Sequence, residues 1–209
     1  MSLHELSLDA FTEALASAAA TPGGGSAAAL SGALAASLVS MVARNTAANP
    51  SFAERADTLE AIAAEAESCR QRLVGLVDDD AAAFERVLAA FRLPKETAEE
   101  KAVRSREIQA SYQAAVEAPQ LVSRQALDVL ALAGRVAELG NPNAVSDAGV
   151  AALLAASALE SAGLNVEINL GSIKDESYRA ESTRTLQDAR GEGARLRDAA
   201  LATVRAALP

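Results

Sequence analysis

From Ala27 to Ala43 the chain carries no charged side chain, and the stretch is built largely of Ala, Ser and Gly. Within it Ala28, Gly32, Ala36 and Ser40 recur at a spacing of four, a stripe of small residues along one side of a helix. Such a stripe lets a neighbouring backbone approach closely. A helix with no polar face has to be buried, and this one is short and weakly hydrophobic for a membrane span. It is therefore expected to be the central helix, covered on all sides. Composition points the same way: 52 of the 209 residues are Ala, only 6 are Pro, and 3% are aromatic. Ala is the best helix former. The expectation is an all-α, single-domain helical bundle over residues 1–209, with long amphipathic helices around the uncharged, small-residue one.

The formal charge of −9 and a pI near 4.7 disfavour a general nucleic-acid or anionic-membrane binder. A small anionic ligand held by local cations and backbone N–H groups stays open. The single cysteine, Cys69, cannot form an intrachain disulfide, and no basic segment followed by an apolar run opens the chain. A cytoplasmic protein is expected. The only histidine, His4, lies at a terminus expected to fray. A Ser-His-Asp triad, a Cys-His pair and a His-rich zinc site are therefore all disfavoured within one chain. Chemistry has to run on carboxylates, Lys, Arg, Tyr, hydroxyls, amides and the backbone.

The first helix is expected from Ser7, a natural cap, to Ala20. Pro50-Ser51 with Glu54 reads as a capping box opening a long helix toward Ala90. Thr97 with Glu100 is a second box, and its helix meets a bend or break at Pro119 before stopping at Gly140. Ser146-Asp147 caps an Ala/Leu helix to about Ser161. Asn165 to Leu170 alternates polar and apolar like a strand; with no partner strand visible it reads as an extended connector or distorted helix. From Asp175 to Leu208 a last amphipathic helix runs, loosened by Gly191 and Gly193.

Five features carry chemistry. Gly23-Gly24-Gly25-Ser26 after Pro22 is a loop feeding the positive end of the uncharged helix, a natural place for a carboxylate or another anion. From composition alone a tight interhelical turn is the favoured reading, and no Gly-Lys-Ser/Thr makes it a P-loop. Asp78-Asp79-Asp80 spreads over roughly 200° of helical arc, so one carboxylate faces inward. Crowded like charges raise one another's pKa, as a proton donor near neutrality requires; a solvated acidic face is the other reading. Lys95, in the loop after Leu93-Pro94, is a surface charge or an anchor for an anion. Asn141, Ser146 and Asp147 gather in one turn, while Asn165 and Asn169 sit in an apolar run where buried amides need partners.

The order of these elements is the informative part. Pro22-Gly23-Gly24-Gly25-Ser26, Asp78 and Asp80 with Phe84, Arg92-Leu93-Pro94-Lys95, Asn141 with Ser146-Asp147, and Asn165-Val166 with Ile168-Asn169-Leu170 and Asp175 together resemble the cyclodeaminase/cyclohydrolase family, the C-terminal part of formiminotransferase-cyclodeaminases. The resemblance runs from about Leu6 to Leu208 and lacks the formiminotransferase domain, as in a stand-alone form. It implies an all-α fold and a homodimer or larger even-numbered assembly binding a tetrahydrofolate derivative near the subunit interface. The implied activity is formiminotetrahydrofolate cyclodeaminase, giving 5,10-methenyltetrahydrofolate and ammonia. The alternatives are methenyltetrahydrofolate cyclohydrolase, giving 10-formyltetrahydrofolate, and a non-catalytic folate-binding protein. Neither metal nor redox cofactor is implied. Asp80, four residues before Phe84, matches the family's catalytic aspartate, with Asp78 tuning it. Gly23, Gly24, Gly25, Ser26, Lys95, Asn141, Ser146, Asp147, Asn165 and Asn169 become candidates to meet the folate.

Overall fold

The computed structural model describes residues 2–209. Six α-helices follow one another: α1 (Leu8–Ala16), α2 (Gly24–Ala47), α3 (Ala56–Phe91), α4 (Ala98–Leu139), α5 (Val145–Leu170) and α6 (Glu176–Ala207). Short 3-10 turns precede α1, α3 and α5, and no strand occurs among the described residues. At 1.5 Å per residue α3 and α4 are each more than about 50 Å long. They frame the molecule, α2 packs along α3 and α5, and α6 lies against α4 and α5.

The small-residue stripe does what its spacing requires. Ala28, Gly32, Ala36 and Ser40 are all buried, and a Cβ at Gly32 would press against Leu73 of α3 and lie near Ala158 of α5. Leu59, Ile62, Leu73, Leu130 and Leu159 fill the space between the helices and are wholly buried. Each is worth roughly 1.5–3 kcal/mol against exposure. The uncharged helix is not enclosed on all sides, however. Leu34 and Met41 reach solvent, and α5 beside it exposes Val150 and Leu153. Its lack of charge marks a core face and, in addition, an open apolar one.

Local signals set several boundaries. Ser7 accepts from Ala10 N at α1, which stops at Ala16, and the Thr97–Glu100 capping box opens α4. Asn49, rather than Ser51 with Glu54, caps the turn leading into α3. Asn141 likewise caps a 3-10 turn, and α5 begins at Val145 without a side-chain cap, so Ser146 and Asp147 already lie in its first turn.

Residues 165–170 form neither a connector nor a strand but the last turns of α5. Val166 and Leu170, four apart, point inward, while Ile168 is 74% exposed. A helix splits an alternating apolar trio between two faces, and packing against Tyr112, Ile173 and Leu186 decides for it. Pro119 does not break α4. Gly191 and Gly193 do not interrupt α6; at Gly193 α6 lies so close to Leu159 that a Cβ would overlap its side chain.

Candidate active site

The residues before α2 bend at Pro22 and enter the helix at Gly23, its N-cap. Gly24 and Gly25 therefore belong to the first helical turn rather than to a flexible loop. Their lack of a side chain is used directly. A Cβ at Gly25 would overlap the carboxyl group of Asp80, and one at Gly24 would lie 3.6 Å from the Asn165 amide. The opening of α2 is thus fitted between a carboxyl group on α3 and an amide on α5. Free N–H groups and the positive end of the helix dipole lie there, a setting that suits negative charge.

Asp80 is half-buried, and its inward position follows from the registry of α3: Leu76, Val77 and Ala83 bury, while Asp79 and Phe84 point outward. Ser26 Oγ donates to the carbonyl of Val77 at 2.8 Å and lies 3.3 Å from Asp80 Oδ2. Burial pushes the Asp80 carboxyl above the ordinary aspartate value, opposed by hydrogen bonding from the Ser26 side chain and backbone.

The neighbouring aspartates do not create this shift. Asp78 turns away from Asp80 and binds the N-terminal segment, accepting from Leu3 N–H and pairing with His4 Nδ1. Burial would raise its pKa, but the His4 and Leu3 hydrogen bonds outweigh that and hold it below the usual value. The expectation that Asp78 tunes Asp80 by like-charge crowding is corrected: desolvation acts on Asp80. His4, expected to fray, is tied down.

Asn169 completes the far wall. Its Nδ2 donates to the carbonyl of Ala115 at 2.9 Å. In a regular helix that carbonyl would accept from the N–H of residue 119, which is Pro119 and has none. The proline in α4 thereby frees an acceptor at the position where α5 presents an amide. Asn165 Nδ2 bonds within its own helix to Ser161 O at 2.9 Å. Ala20, Thr21, Gly23, Asp80, Ala83, Phe84, Ala115 and Asn169 enclose a cleft of about 80 Å³. Asp80 is the only ionisable group among them.

The structure thus brings together Gly23, Gly24, Gly25, Ser26, Asp80, Asn165 and Asn169. Within that set Gly25 and Ser26 are buried against Asp80. Asn141, Ser146 and Asp147 are not part of the cleft. The backbone N–H of Asn141 donates to Thr46 Oγ1, at the other end of α2, and twenty residues of helix put Thr46 about 30 Å from Ser26. Lys95 is exposed in the α3–α4 connection, beyond the end of α3 at Phe91, which lies eleven residues of helix, about 16 Å, from Asp80. Sequence reasoning missed Ala115 and Thr21, which carry no chemical signature of their own. A larger groove of about 520 Å³ lies between α3 and α4 around Arg86, Leu93 and Glu107, and it holds none of the expected site residues. No group of three His, Cys, Asp or Glu side chains converges among the described residues.

The family described as formiminotransferase-cyclodeaminase matches residues 7–188. The chain is 40% identical to a methenyltetrahydrofolate cyclohydrolase of Methylorubrum extorquens, over 95% of each protein. It is 34% identical to the formimidoyltransferase-cyclodeaminase of Rattus norvegicus over 92% of this chain, but spans only 36% of the rat protein. Its fold superposes on the crystal structure of a formiminotetrahydrofolate cyclodeaminase from Thermotoga maritima with a TM-score of 0.89, 28% identity and 98% coverage of both chains. With the family match spanning most of the chain and a relative similar over nearly its full length, the chain belongs to the formiminotransferase-cyclodeaminase family.

Proposed function

We propose that the protein is a methenyltetrahydrofolate cyclohydrolase, in which Asp80 moves the protons that accompany opening of the one-carbon bridge. The observation that carries the chemistry is a half-buried carboxyl group, raised in pKa, alone as an ionisable group in a cleft. The direction of reaction follows the higher identity to the Methylorubrum cyclohydrolase, 40% over 95% of each protein, against 28% for the Thermotoga cyclodeaminase.

In this reading water adds to the carbon bridging N5 and N10 while ionised Asp80 accepts its proton. The tetrahedral carbon then expels N5, Asp80 returns the proton to N5, and the remaining hydroxyl proton leaves to solvent. The product is 10-formyltetrahydrofolate, and Asp80 ends as it began. Water and protons move and no electrons do, so the reading needs neither metal nor redox cofactor.

The Thermotoga similarity favours a second reading, cyclodeaminase, on the same residues. There N10 attacks the carbon of the protonated formimino group of 5-formiminotetrahydrofolate, and Asp80 carries the N10 proton to the resulting amino group, which leaves as ammonia and gives the methenyl cation. Either substrate is far larger than the cleft, so only the reacting end enters; in this reading Gly23 and Asn169, which line the cleft, and Asn165 beside Gly24 meet the folate. The proposal includes a homodimer or larger even-numbered assembly. What supports it is the open apolar face of α2 and α5, continued beside Asn165 and Asn169 by Leu164 and Ile168, 64% and 74% exposed. It also includes a soluble, cytoplasmic enzyme with no nucleic-acid or membrane partner. Windows of α2 and of residues Pro142–Leu170 are apolar enough to cross a membrane, yet 61% and 56% of them is buried in the bundle.

The test is to add purified protein to 5,10-methenyltetrahydrofolate and follow its near-ultraviolet absorbance. Accelerated decay, slowed by about two to four orders of magnitude in Asp80→Asn, is expected. Near-normal turnover in a folded Asp80→Asn protein overturns the role of Asp80. A protein-dependent rise from 5-formiminotetrahydrofolate, with ammonia released, establishes the second reading.

A further inference from the structure

Ser26 is wholly buried, yet it has one hydroxyl proton and two acceptors within reach: Val77 O at 2.8 Å and Asp80 Oδ2 at 3.3 Å. The first distance is that of a made O–H···O bond, and the second is longer than one. With its proton on Val77 O, Ser26 Oγ turns a lone pair toward Asp80 and can only accept. That arrangement fits a protonated Asp80. Once Asp80 ionises, two lone pairs face each other unless the hydroxyl swings about its Cβ–Oγ bond to donate to the carboxylate. The two side chains have only to draw together by about half an ångström, to the length of a charge-assisted O–H···O⁻ bond. Val77 O, inside α3, is left with the N–H partner of an ordinary helical carbonyl.

We propose that Ser26 is a positioning residue whose hydroxyl proton switches between Val77 O and Asp80 Oδ2, serving each protonation state of Asp80 in turn. A group that both takes up and gives back a proton in one turnover needs both states supported, and a single-proton donor between two acceptors supplies that. The inference rests on the reading of Asp80 as the proton carrier, and it assigns Ser26 to the acid rather than to the folate.

Few other charges bear on Asp80. From α2 no charged side chain precedes Arg44. From α4 and α5 the cleft receives Ala115 and Asn169, and the nearest acid along α5, Glu167, is paired with Arg190. On α3 itself Asp79 is exposed and Asp78 is held by His4 and Leu3. Ser26 is thus the dominant local hydrogen-bonding influence on the Asp80 carboxyl.

The experiment is an infrared titration of the carboxylic-acid C=O band in wild type, Asp80→Asn, Ser26→Ala and Ser26→Thr, alongside pH profiles of kcat and KM. Asp80→Asn identifies the band by its loss. The charge-assisted bond to the ionised form is the stronger of the two, so its removal in Ser26→Ala is expected to raise the titration midpoint by about one pH unit. The kcat profile should move with it, KM should change little, and Ser26→Thr should restore the wild-type midpoint. Ser26→Gly, equally without a hydroxyl, repeats the measurement with a different effect on folding. An unchanged midpoint in the folded hydroxyl-free variants overturns the proposal. A shifted midpoint with full turnover in Asp80→Asn would instead keep the switch and remove Asp80 from catalysis.

Discussion

Gly25 lies so close to Asp80 that a single methyl group on it would occupy the space of the carboxylate. The residue is in the first turn of a helix, where Ala normally gains about 1 kcal/mol over Gly. Here Gly25→Ala should instead destabilise the fold by about 1–3 kcal/mol, the cost of overpacking, and reduce turnover by displacing Asp80. Gly24→Ala, one residue earlier and at an ordinary contact distance from Asn165, should leave stability unchanged or slightly improved. Thermal melts of Gly25→Ala, Asp80→Ala and the double variant decide the matter. The penalty should disappear when the carboxyl group is also removed, a coupling that a general helix effect would not produce.

Asn169 is anchored on a carbonyl that Pro119 leaves without its helical N–H. Pro119→Ala supplies that N–H. Chain stability should rise, because proline in a helix interior costs up to about 3 kcal/mol. The new N–H competes for Ala115 O, so Asn169 loosens and KM should rise several-fold with little change in the pH profile. Asn169→Ala should reproduce the KM effect without the gain in melting temperature. Equal KM in wild type and both variants would mean that the amide has no part in binding.

Much of the bundle was legible in the sequence because its signals are local: the small-residue stripe, the Thr97–Glu100 box, and the Gly140 stop are each set by neighbours a few positions apart. The candidate site's separate elements carried local signals, but their coming together was indicated only by resemblance. Ser26 and Asp80 are 54 positions apart, and Asn169 and Ala115 also 54, and no local spacing predicts which turns of which helices meet. Local reasoning failed where two helices decide together. Asn165 to Leu170 alternates over too few residues to separate period two from a helix that buries Val166 and Leu170, and His4 gained its place only through Asp78 on another element. Asn141, Ser146 and Asp147 clustered with the site in sequence order but belong to the other end of the bundle.

Asp78, held by His4 and Leu3, predicts a stability that depends on pH. Its pKa is lowered in the folded protein, so the contribution is present above the unfolded value near 3.9 and lost as the pH falls through the folded one. Asp78→Ala should lower stability by about 1 kcal/mol at pH 6, given partial exposure of the pair. Near pH 3 the gap to wild type should close. Turnover should stay within a few-fold of wild type, since Asp78 faces the N-terminal segment and not the cleft. A collapse of turnover in a folded Asp78→Ala protein would return this residue to the active site.

Two glycines of α6, two positions apart, should respond in opposite directions. Gly191 has nothing within 4 Å of where a Cβ would stand, whereas at Gly193 a Cβ would overlap a methyl group of Leu159 and come within 3.5 Å of Leu127. Gly191→Ala should therefore gain about 0.5–1 kcal/mol from helix propensity and a less flexible unfolded chain. Gly193→Ala pushes α6 away from α5 and should lose about 1–3 kcal/mol despite the same propensity gain. Chemical denaturation of the two variants in parallel separates these effects. If both stabilise, α6 does not depend on close approach at Gly193, and the pair are simply weak points in a helix. If they diverge, Gly193 is the contact that sets the distance between α6 and the helix carrying Asn165 and Asn169. Gly193→Ala should then also raise KM, because moving α6 shifts the packing on which α5 rests.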